Sequence, residues 1–62
     1  MKLILEPNIS KPDDFYNALI DIFRDMTEEE CRDTNAMLVL LLANHIGDID
    51  VIKEALNIAK ES

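Results

Sequence analysis

Eight consecutive apolar residues, Ala36 through Ala43, constrain this chain more than any other stretch. An α-helix turns about 100° per residue, so eight apolar positions in a row leave it no wet side across two turns. The flanking residues call for a helix. Thr27-Glu28-Glu29-Glu30 has the form of a capping box, in which the threonine hydroxyl accepts from the amide three residues on and the glutamate carboxylate reaches back. Gly47 suits the left-handed residue that closes a helix. The expected central helix therefore covers residues 28–46, and its middle has to be buried from every direction.

The neighbours are poorly equipped to do that. A first helix is expected over residues 12–26, with Ser10 as cap, Pro12 in the first turn, and Asp13 and Asp14 at the positive helix end. Its apolar members Phe15, Ala18, Leu19, Ile22, Phe23 and Met26 recur at three- and four-residue steps and make one stripe. A third helix over residues 49–60, capped by Asp48, carries Ile52, Ala55, Leu56 and Ala59 on its own single stripe. Residues 1–11 hold Pro7, Asn8 and Ser10 among the loosely alternating Leu3, Leu5 and Ile9, which reads as an extended arm. Such an arm is ordered by lying on a helix or by pairing with a second copy of itself. The expected architecture is all-α: a three-helix domain over residues 12–62 and an arm over residues 1–11.

A chain of 62 residues is also short of core, because a domain this small buries only about 60% of the surface its unfolded chain exposes. Small folds make up the deficit with disulfides, a structural metal or association. Cys31 is the only cysteine, so no internal disulfide forms, and with His45 as the only histidine no closed four-ligand zinc site can be assembled. Association is left, and a homodimer is its simplest form.

Charge narrows the partners. Thirteen acidic against six basic residues, a net charge of −7, repel the nucleic-acid backbone and anionic membranes alike. The longest apolar run is far below the roughly 20 residues of a membrane span. Met1 to Leu5 imitates a secretory opening, but Glu6, Pro7 and Asn8 interrupt it well before a hydrophobic region of that kind is complete. A cytoplasmic protein with a reduced thiol is the expectation.

The polar residues next to the apolar run are the places to look for chemistry. Asn35, Asn44, His45 and Asp48 have two readings. In one, His45 is an acid, a base or a metal ligand with Asp48 or Asp50. In the other, Asn44 and His45 satisfy the open carbonyls at the helix end. A lone imidazole among carboxylates is a poor metal site, so the structural reading is preferred and no catalytic residue, metal or cofactor is assigned. Gly47 is the only glycine, which removes any glycine-rich phosphate loop. A helix-turn-helix reader around Gly47 fails on charge, because Asp50 and Glu54 stand beside Lys53 and Lys60 in the would-be reading helix. Cys31 fits a small filler, and the pattern of Phe15, Tyr16 and Phe23 fits core packing better than an aromatic pocket. For an interaction surface the expected residues are Leu3, Leu5, Met37, Leu38, Leu40 and Leu41.

Leu5-Glu6-Pro7-Asn8, Asp13-Asp14-Phe15-Tyr16 and the long core from Asn35 to Asp48, ending Ala43-Asn44-His45-Ile46-Gly47-Asp48, are similar to the corresponding segments of a family of short bacterial proteins known only as a domain of unknown function. The resemblance covers nearly the whole chain. It implies a bacterial source and a link to flavin-dependent hydroxylases of aromatic catabolism, and it carries no catalytic residue with it. The functional expectation is a small acidic interaction module or accessory subunit that partners itself or a larger protein. Two alternatives stand beside it: a His45-centred enzyme, and an acidic regulator that docks on a basic surface.

Overall fold

The structure is a computed structural model describing residues 1–62. It holds three α-helices and no strand: α1 (Pro12–Phe23), α2 (Glu28–Ile46) and α3 (Ile49–Glu61). The first eleven residues form neither helix nor strand.

Local chemistry accounts for the boundaries. Pro12 opens α1 with its missing N–H at a position that needs none. The cap is Lys11, which makes no side-chain bond, so Ser10 does not act as the cap the sequence suggested. The helix also stops at Phe23, three residues before the expected end. The Met26 amide turns back to the Phe23 carbonyl at 3.2 Å, a tight i to i+3 closure that ends α-helical bonding. Thr27 then has to be extended (φ −71°, ψ 167°) to cap α2, and an unbroken helix through Met26 would leave no room for that change of direction.

At the start of α2 the capping box is complete: the Glu30 amide donates to Thr27 Oγ1 at 3.1 Å and the Thr27 amide donates to Glu30 Oε1 at 2.9 Å. At its end Gly47 sits at φ 73°, and its amide donates to the Ala43 carbonyl at 2.9 Å. Asp48 follows at once as the cap of α3, its Oδ1 accepting from the amides of Asp50 (3.0 Å) and Val51 (3.3 Å). The connection is therefore as short as the sequence predicts, and α2 and α3 pack as neighbours.

The central helix is covered in two separate places. Its N-terminal half presents Cys31, Thr34 and Leu38, all half-buried, toward α1 and the turn that follows it, where Leu19 and Phe23 of the helix and Met26 of the turn are half-buried in turn. The Thr34 hydroxyl donates to the Met26 thioether across this contact at 3.6 Å. Its C-terminal half sets Ala43 and Ile46 near Val51 and Ile52 of α3. Val51, 6% exposed, is the one fully buried side chain. The arm returns to this end, where Met1, Lys2, Leu3 and Leu5 face Asp50, Val51 and Glu54 across an open groove of about 440 Å³. The Met1 ammonium lies 3.8 Å from Asp48 Oδ2. The arm thus lies over the start of α3 and leaves the middle of α2 uncovered.

Size measures agree that the single chain is under-packed. The radius of gyration is 13.2 Å, against about 10.6 Å expected for a compact chain of this length. The accessible surface is 5813 Å², whereas the scaling for folded monomers gives about 4,100 Å² at 7.1 kDa. About 1,700 Å² more than a compact monomer would show is open to water. Phe15 and Tyr16, expected in the core, are exposed on α1, because no second layer lies over that helix to receive them.

Candidate functional site

The middle of α2 is uncovered. Met37, Val39, Leu40, Leu41 and Leu42 are 57%, 54%, 64%, 61% and 54% exposed. With Leu38 aimed at α1, Leu40 two residues on points about 160° away from it. That is the direction neither α1 nor α3 reaches. The open side continues into a groove of about 330 Å³ between α1 and α2, lined by Leu19, Ile22 and Phe23 on one wall and by Thr34, Leu38 and Leu41 on the other. Groove and helix face form one apolar surface, which water covers at a cost that scales with its area.

Of the six residues expected at an interaction surface, Met37, Leu40 and Leu41 lie on this exposed face. Leu38 lines the groove with its side chain half-buried. Leu3 and Leu5 sit at the other end of the molecule against α3, Leu3 half-buried and Leu5 exposed. Exposed Ile22 joins the groove wall; as a regular member of the α1 stripe it carried no sequence signal separating it from core.

The four polar residues are not brought together. Nine helical steps separate Asn35 from Asn44, about 14 Å along the axis. Asn35, Asn44 and His45 are exposed and engage in no side-chain hydrogen bond. Asp48 alone has a structural task, the α3 cap. The Gly47 amide meets the Ala43 carbonyl near the end of α2, and neither the Asn44 nor the His45 side chain bonds a carbonyl there. Nowhere do three His, Cys, Asp or Glu side chains converge as metal ligands would. Cys31 is a free thiol, half-buried on the α1 side of α2.

One carboxylate is electrostatically distinctive. The Thr27 backbone amide, and then the Thr27 hydroxyl, hold Glu30 below the usual carboxylate range, because both bonds favour the charged form. This belongs to the helix cap and not to any cleft. No helix is long and apolar enough to cross a membrane.

The model of the family described as "Protein of unknown function (DUF2783)" matches residues 3–61 of the chain. No curated protein and no solved structure matches it.

Proposed function

We propose that this chain, which belongs to the DUF2783 family of proteins of unknown function, is a small acidic interaction module that works by associating through the Leu40 face of α2 and performs no catalysis of its own. The observation that carries the reading is the exposure of Met37, Val39, Leu40, Leu41 and Leu42 on a helix whose middle has no polar side. Burying a large aliphatic side chain is worth about 1.5–3 kcal/mol, so a partner covering several of these residues gains enough to set the state of the chain in the cell. Its own second copy is the first such partner. A larger protein, the enzyme of aromatic catabolism implied by the family resemblance included, would use the same face.

Two further observations support the reading over a His45-centred enzyme. His45 is exposed and no side chain orients its ring, whereas a general acid or base is normally held by a second group. Asp48, the carboxylate that would accompany His45, is already engaged as the cap of α3.

Sedimentation across a dilution series tests the proposal directly. Association that Leu40→Glu abolishes, and that His45→Ala leaves unchanged, is the expected result. A compact, stable monomer at every dilution, with no partner lost on Leu40→Glu, would sink it.

A further inference from the structure

We infer that the occupant of the Leu40 face is a second copy of this chain, packed antiparallel across a two-fold axis passing between Val39 and Leu40. The inference rests on the association reading above and specifies its geometry.

The area comes first. The surplus of about 1,700 Å² per chain includes the arm. Half of it, about 850 Å², already equals what each partner gives to a standard interface. The whole, taken over two chains, is about 3,400 Å² and falls within the range of obligate homodimers. Every copy carries the same uncovered face, and a two-fold contact buries one patch against itself. One association event therefore removes the exposed run from water on both chains.

Charge sets the direction. Glu28, Glu29, Glu30 and Asp33 all lie in the first third of α2. In a parallel pair the two groups would stand about 9 Å apart, roughly a Debye length at physiological salt, with both helix dipoles aligned. In an antiparallel pair the three glutamates lie beyond the apolar run of the other helix, about 30–36 Å from their counterparts, and the two Asp33 side chains about 21 Å apart, and the dipoles oppose. Centring the axis on Ala36–Ala43 sets Leu40, with Ala36 and Ala43 one turn to either side of it on the same stripe, against the same stripe of the second copy.

Spin-label distances on the full chain test the arrangement, with Glu28→Cys or Arg32→Cys each in a Cys31→Ser background and the helical fold checked by circular dichroism. A rise of 1.5 Å per residue and an axis separation near 9 Å give about 36 Å between the two Glu28 sites and about 24 Å between the two Arg32 sites. The difference of about 12 Å does not depend on label length. Leu40→Cys in the same background lies at the axis and should form an intermolecular disulfide on mild oxidation. Short, equal distances at both label sites overturn the inference, as does a Leu40→Cys chain that stays unlinked. A chain that remains monomeric yet holds a different protein on this face overturns it too, while leaving the association reading standing.

Discussion

Truncating Leu40 to alanine isolates the energy of the uncovered face. Leu40→Ala removes three carbons, each worth about 0.8 kcal/mol when buried. Because Leu40 is 64% exposed in the single chain, about 1.5 kcal/mol of that is realised only on association. Two-fold symmetry counts the residue twice, so the dimer should lose about 3 kcal/mol, a rise in dissociation constant of about 150-fold. The single chain should be nearly unaffected, since the side chain touches neither α1 nor α3. Sedimentation equilibrium of wild type and variant over a wide concentration series gives the two constants. Far-ultraviolet circular dichroism on the same samples reports whether helix content falls along with the dimer, as expected when one buried valine and a ring of half-buried side chains must offset the ordering of the whole chain. An unchanged dissociation constant would refute the reasoning. So would an equal loss in stability of the fully dissociated chain, which would mean that Leu40 is covered from within.

Other outcomes follow from the caps and the charge. Gly47→Ala should destabilise the fold by about 1–2 kcal/mol, the cost of a left-handed residue that has a Cβ. The added atom meets nothing nearer than the Asn44 carbonyl oxygen at 3.9 Å, so urea melts showing a smaller loss for Gly47→Asn, which tolerates this conformation, would identify backbone conformation as the cause. Thr27→Ala should remove about 1 kcal/mol of capping and raise Glu30 only part of the way to the ordinary carboxylate range in an NMR titration, because the backbone amide of residue 27 still donates to it. In the wild type Glu30 is more acidic folded than unfolded. Its contribution is therefore full above the ordinary carboxylate value and is lost as pH falls through the depressed one; acid melts in which Thr27→Ala and wild type lose stability in parallel would contradict this. Finally, two chains of charge −7 repel, so self-association should strengthen as added salt shortens the Debye length from about 30 Å at 0.01 M to about 8 Å at 0.15 M. Weakening with salt would instead point to a basic partner surface.

Much of this molecule is legible in the chain itself because its signals are local. The capping box at Thr27 and Glu30, the left-handed Gly47 and the Asp48 cap each involve residues within four positions of one another. They place α2 and α3 to within a residue of the expected ends. The failures have equally physical causes. Ser10 was an available cap that the backbone at Lys11 did not use. The end of α1 depended on a competition between continuing the 3.6-residue period through Met26 and turning early so that Thr27 could extend, and periodicity cannot weigh a turn against a cap. The expected polar cluster dissolved because Asn35 and Asn44 share a helix but not a neighbourhood, and the Asn44 and His45 side chains point out to solvent.

What the sequence determined alone is that α2 has no wet side, since eight successive apolar residues at helical pitch exclude one whatever the fold. What it left undecided is what covers that helix, because coverage depends on contacts between segments far apart in the chain. The tertiary structure decides the internal part. The arm goes to Val51 and the start of α3, α1 reaches only the Leu38 side, and the Leu40 side stays open because three short elements each bury one stripe and none is left for a fourth direction.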